Sequence, residues 1–138
     1  VDDILKSLAD NFEKEPYAIL LGLKLAKLGE GSALVKMELS EDKNNLFAAT
    51  HGGAIFSLMD AAFELAVNSH GTVAVALNVS VNYVSPVLAG ETIYAEAMEV
   101  SRSNRISTCD INVKGGDGRL IATCQAMAYR KKDRLPFL

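Results

Sequence analysis

Cysteine is scarce in this chain, with only Cys109 and Cys124 among 138 residues. Two cysteines so far apart exclude a metal knuckle and a disulfide framework. Both fall in strand-like segments, where reduced cysteine behaves as a small hydrophobe. An excess of one charge is also missing. The net charge of −3 excludes nucleic acid or an anionic membrane as a general partner. The one basic cluster, Arg130-Lys131-Lys132-Asp133-Arg134, is short and reads as a solvated tail. The stretch from Leu65 to Gly90 lacks Asp, Glu, Lys and Arg, but asparagines, serines, glycines and Pro86 interrupt it, which excludes a membrane span. An amphipathic, acidic amino terminus lacks the basic-then-apolar order of a secretion signal. With reduced cysteines, this leads us to expect a cytoplasmic protein. Repeats, low-complexity segments and linkers are absent too, so residues 1–138 are expected to form one domain.

What is present is periodicity. Val1, Ile4, Leu5, Leu8, Ala9 and Phe12 fall at helical spacing, and Pro16 is expected to end that helix. From about Gly22 the period changes to two, and Gly29-Glu30-Gly31 turns one alternating run into another, Ala33 to Leu39, predicting a hairpin. A polar loop over 40–50 precedes a long helical pattern from about Gly53 to Ser69. It is apolar nearly all round, as a buried helix is. His70-Gly71 supplies its stop. Strand patterns follow over 73–83, 92–100, 106–113 and 120–129. With no helix between these last strands, parallel βαβ units are excluded. The expected fold class is α+β: one antiparallel sheet curled around the long helix, plus a short amino-terminal helix.

Ser57, Asp60 and Glu64 interrupt the apolar helix at offsets that place them on one narrow stripe. Burying a carboxylate there is costly unless it is paired or hydrogen-bonded. One account makes the stripe a solvent-facing strip, or has Asp60 satisfied by a neighbour. The other makes it the wall of a cleft, with Asp60 a base or nucleophile of tuned pKa. The helix start favours the second. His51-Gly52-Gly53 puts two residues without side chains where backbone N–H groups lack intrahelical partners, as an oxyanion hole requires. Gly53 and Asp60 are nonetheless separated by roughly 10 Å of helix rise. One carbonyl cannot touch both within a chain. If both take part, the carboxylate comes from a second, antiparallel copy of the helix, and the minimal catalytic unit is a twofold dimer.

The run from His51 to Phe63, the stretch Asn78 to Pro86 ending in Val84-Ser85-Pro86, and Gly90-Glu91 before the next strand together resemble the hotdog-fold acyl-CoA thioesterases. Among them the phenylacetic acid degradation type is the nearest likeness, over about Gly22 to Arg130. The resemblance implies hydrolysis of an aryl- or fatty-acyl-CoA thioester to free acid and CoA, without metal or dissociable cofactor. It implies that Asp60 activates water or attacks the carbonyl, that the Gly52 amide, with Gly53 beside it, polarises the oxygen, and that His51 shapes the helix entrance. Asn45, with Asn44 as the alternative, occupies the place of an amide side chain near the attacking water. A hydroxyl position on the following strand falls near Ala76 to Asn78. Ala76 has no hydroxyl, and Asn78 stands in for it. Glu64 assists or lines the cleft.

For the CoA phosphates the candidates are Arg102, Arg105, Lys131 and Lys132. The acyl group is expected in a slot lined by Phe56, Leu58, Met59 and Tyr83. The expected assembly is a homo-oligomer, a dimer that pairs further into a tetramer. Two other classes compete: a non-catalytic acyl-CoA-binding module of the same fold, and a dehydratase or hydratase using His51 as its acid or base.

Overall fold

The computed structural model describes residues 2–138, so Val1, placed above in the first helical pattern, lies outside the described residues. Helix α1 (Asp2–Phe12) buries Leu8 and Phe12. Pro16 does not simply end the helical region. It opens a second short helix, α2 (Pro16–Leu21), which stops at Gly22 in the left-handed conformation, φ 72°. At a first helical position the missing proline N–H costs nothing, because that donor has no intrahelical acceptor.

Strands β1 (Lys24–Gly29) and β2 (Ser32–Glu38) form the expected hairpin, and a 3-10 turn over Glu41–Lys43 leads towards the long helix α3 (Gly52–Asn68). Four strands follow: β3 (Thr72–Tyr83), β4 (Thr92–Arg102), β5 (Ile106–Gly115) and β6 (Leu120–Arg134). All six make one antiparallel sheet in the order β1-β2-β4-β5-β6-β3, so the two edges are β1 and β3. This is the hotdog architecture that the resemblance implied.

The core lies between α3 and one face of the sheet. That face is built largely of small residues: Ala95 and Ala97 on β4, and Ala122, Ala126 and Ala128 on β6, are fully buried. They let the helix approach closely, and its Leu58, Met59, Phe63 and Leu65 fill the space. At the carboxyl end of α3 a polar clamp fixes the helix to the sheet. Asn68 Oδ1 accepts from the Ala74 amide at 2.9 Å, while its Nδ2 donates to the Ala74 carbonyl at 3.1 Å.

Beside it, the basic cluster proves to be strand rather than tail. Arg130 is buried in β6, donates from Nη1 to the Val67 carbonyl at 2.9 Å and from Nη2 to Ser107 Oγ at 2.8 Å. Its guanidinium lies 3.8 Å from Glu99, which also contacts His70 Nε2 at 2.8 Å. Lys131, Lys132, Asp133 and Arg134 remain exposed. No helix is long and apolar enough to cross a membrane, among the described residues.

Candidate active site

His51 caps α3. Its backbone is extended, its carbonyl accepts from the amides of Ala54 and Ile55, and its Nδ1 accepts from the Gly53 amide at 2.8 Å. The imidazole therefore shapes the helix entrance through a cap bond, with the ring proton on Nε2. It also removes Gly53 from the set of carbonyl-polarising donors proposed from the sequence, because that amide is already taken. The Gly52 amide is left without an acceptor among the described residues, at the positive end of the helix dipole.

Gly52 is held from the other side by Tyr83, whose hydroxyl donates to the Gly52 carbonyl at 3.1 Å. A Cβ on Gly52 would stand 3.3 Å from the Tyr83 ring, so even alanine would press on it. A cleft of about 320 Å³ opens here, lined by Asn45, Thr50, Gly52, Ile55, Tyr83 and Ser85 among others. Asn45 Oδ1 accepts from the amides of Phe47 and Ala49 at 2.8 and 3.2 Å, which bends the loop and leaves the side-chain NH2 for a ligand. Asn44 does not line this cleft. Sequence reasoning did not single out Thr50. Its buried hydroxyl has no protein partner, the condition that a bound water or ligand relieves.

One helix turn further on, the polar stripe divides. Ser57 is buried, donating to the Gly53 carbonyl at 2.8 Å and paired with the Tyr17 hydroxyl at 2.9 Å. Asp60 and Glu64 reach solvent, as the plainer account of the stripe expects, yet Asp60 has no side-chain or backbone partner among the described residues. Both lie along a groove of about 220 Å³ lined by Phe63, Val67, Ala74 and Ala76. The protein crowding this groove strips hydration from the anions even though their tips touch water. Desolvation raises the Asp60 carboxyl above its ordinary range, and the negative charge of Glu15 adds to it. Glu64 is pushed up to about 8, by desolvation first, then by a hydrogen bond with Glu15 and by the charges of Glu15 and Asp60. The cysteines are no rival nucleophiles. Burial pushes Cys109 up to about 12 and Cys124 up to about 11, the latter with a contribution from the nearby Asp60 charge.

The remaining candidates separate. Between Ala76 and Asn78 the β3–β6 register shifts, with Asn78 opposite Met127 while Ala76 is opposite the buried Ala128. This bulge turns Asn78 to the outer face of the sheet, away from α3, and leaves Ala76 as the strand residue beside Asp60. Leu58 and Met59 are closed core, so they line no slot. Arg102 and Lys131 are exposed, and Arg105 donates to the Arg130 carbonyl at 3.2 Å. Arg130 pairs with Ala74, whereas Tyr83, beside Gly52, pairs with Ala122. At strand rise the basic group lies on the order of 30 Å from its own Gly52. Among the described residues no cluster of His, Cys, Asp or Glu is arranged to hold a metal.

Against this geometry stand the comparisons with known proteins. The model of the family described as "Thioesterase superfamily" matches residues 47–122, the span from the cleft loop through β6's start. A relative from Archaeoglobus fulgidus is 39% identical over 85% of this chain and 76% of its own. The acyl-coenzyme A thioesterase PaaI of Escherichia coli is 30% identical over 86% of this chain and 85% of its own. The solved structure of the E. coli PaaI protein, from the phenylacetic acid degradation operon, superposes with a TM-score of 0.91, covering 95% of both chains at 27% identity. The phenylacetic acid degradation protein PaaI of Thermus thermophilus, solved as a point mutant, gives 0.82 at 37% identity, over 85% of this chain and all of that one. With that match across most of its length, and with the carboxylate and the free helix-start amide on one helix, this chain belongs to the thioesterase superfamily, in its PaaI-type branch.

Proposed function

We propose that the protein hydrolyses acyl-CoA thioesters in composite sites of a twofold dimer, each joining Gly52 of one protomer to Asp60 of the other. The observation that carries this reading is the pairing of one unclaimed helix-start amide with one unpartnered, partly desolvated carboxylate on the same helix, too far apart to meet within a chain. The Gly52 amide donates to the thioester oxygen and stabilises the charge that grows there. Asp60 takes a proton from water as the oxygen adds to the carbonyl carbon, the C–S bond breaks, and the proton passes from Asp60 to the departing sulfur, leaving free acid and the CoA thiol. A raised pKa makes the carboxylate a stronger base, which favours general-base catalysis over direct attack.

The edge strand supports the dimer. β3 has twelve residues and an unpaired outer edge, and Val75, Leu77, Tyr83 and Val84 are exposed along it or just beyond. A long apolar edge is a template for another strand. Pairing with its own copy about a twofold axis is necessarily antiparallel and sets the two α3 helices side by side in opposite directions. Leu46 and Phe47, at the tip of the cleft loop, are 96% and 86% exposed and offer further apolar surface to a partner. Pairing of dimers into a tetramer, Asn45 as the amide near the attacking water, and Arg102, Arg105, Lys131 and Lys132 as phosphate contacts belong to the same proposal. Those cations lie towards the end of the sheet to which α3 of the same chain points, where the partner's helix start would be brought.

The test is thiol release from a panel of aryl- and fatty-acyl-CoA esters by wild type and Asp60→Asn. Turnover should fall by roughly two orders of magnitude or more with the fold retained. Near-normal turnover in the variant, or full activity from a strictly monomeric protein, would overturn the reading.

A further inference from the structure

A cavity of about 480 Å³ lies between α1, the carboxyl half of α3, the start of β3 and the carboxyl-terminal tail. Its size is in the range of small-molecule sites. The walls are mainly apolar, with Leu8, Phe12, Leu65, Val73, Leu135 and Phe137 prominent. It is not isolated. Glu64, Asn68, Ala74 and Val75 line both this cavity and the groove that holds Asp60, so the two adjoin along one wall. Glu64 stands one helix turn from Asp60, roughly 6 Å along the axis, and Glu15 faces it across the mouth.

We infer that this cavity receives the far end of the acyl chain of a thioester whose carbonyl is held at Asp60 of the same protomer, and that Val73 and Phe137 help to set the chain length accepted. The inference rests on the reading of Asp60 as the base. Of the two arms of an acyl-CoA, only the hydrocarbon suits this path. Two carboxyl groups guard the mouth and, among the described residues, no cation lines the cavity, so the phosphates of CoA are turned away. Glu64, pushed up to about 8, carries less charge in the neutral range than an ordinary carboxylate, which lowers the cost of passing an apolar chain beside it. Short acyl groups end before the mouth, and longer straight chains enter. The walls from α1 and the tail, Phe137 among them, lie outside residues 47–122, the part matched by the superfamily, whereas Val73 lies within it, so the cavity joins the matched span to segments beyond it.

The experiment measures kcat/KM for straight-chain acyl-CoA esters from acetyl to dodecanoyl on the full-length wild type, Val73→Phe and Phe137→Ala. Val73→Phe fills the cavity and should cost roughly tenfold or more for octanoyl and longer chains while leaving acetyl within about twofold, the scale on which methylenes are discriminated in apolar pockets. Phe137→Ala, at a partly exposed position, should raise the longest chains relative to octanoyl. Equal effects on all lengths in both variants would overturn the inference. So would dissociation of the dimer by Val73→Phe in size-exclusion chromatography, because the cavity would then be housing the partner's Leu46–Phe47 loop. Should Val73→Phe not fold, Phe137→Ala decides alone. If Asp60→Asn keeps its acetyl-CoA turnover while the length profile still shifts, the base assignment falls and the subsite stands.

Discussion

Glu64→Gln isolates the energetic consequence of the carboxyl pair. In the native protein Glu64 holds its proton up to about 8, against an ordinary value of 4.5, because desolvation and the Glu15 hydrogen bond both disfavour its anion. The native state therefore binds that proton more tightly than the unfolded chain does. The stability this confers is complete below about pH 4.5 and is lost as pH rises towards 8. The full displacement sets a ceiling of ~5 kcal/mol. Solvent reaches the groove and screens the charge, which brings the effect down to ~1–2 kcal/mol. For a domain of this size that corresponds to about 4–6 °C in melting temperature. Glutamine is neutral at every pH and still donates to Glu15. Melting curves at fixed protein concentration should thus show wild type and variant alike at pH 5, and the variant higher by about 4–6 °C at pH 9. A difference that does not change with pH, or a wild type that melts higher at pH 9, would refute the assignment of the proton to this pair.

Three further outcomes follow from the same geometry. His51→Ala should cost about 1 kcal/mol in urea unfolding through loss of the Gly53 cap bond, and His51→Asn should recover most of it. Ala48→Gly should gain about 0.5–1 kcal/mol, because Ala48 sits at φ 59°, where an L side chain is strained; a loss of stability would show that the loop is held there by other contacts. Arg130→Met should cost about 3 kcal/mol by leaving the buried Glu99 without its cation and the Val67 carbonyl without its donor, and Arg130→Lys should restore only part, measured by denaturant melts.

Most of the fold is legible in the residues because each element is locally consistent. The alternation Ala33, Val35, Met37 marks β2, and the near-continuous apolar run of α3 marks the helix that the sheet covers. What was not legible depends on geometry without a sequence signature. Leu77 makes a bulge with no glycine or proline to announce it, and that single extra residue sends Asn78 to the wrong face. The loss of the Gly53 amide to His51 is a matter of one side-chain rotamer. Pro16 carries the same letter whether it stops a helix or starts one. β6 continues past Tyr129 because Arg130 finds four polar neighbours inside the protein, and only the fold brings Val67, Thr72, Ser107 and Glu99 to it. Glu15 and Glu64 are far apart in the chain and meet only once α1 and α2 fold over α3.

The outer edge of β3 also bears on how a lone chain stays soluble. From Leu65 to Gly90 there is no Asp, Glu, Lys or Arg, and within that stretch Thr72–Tyr83 is rich in valine and free of proline. Such a segment on an open edge has the composition of an aggregation-prone strand. Its defences are modest: the bulge at Leu77, and the outward Asn78, Ser80 and Asn82. In the proposed dimer, the surface that assembles the catalytic pair is also the surface by which newly made or diluted chains would stick to one another wrongly. On that proposal, solubility during synthesis is tied to how quickly the partner covers that strand, and a charge placed there to keep the protomer soluble would abolish the site it is meant to protect.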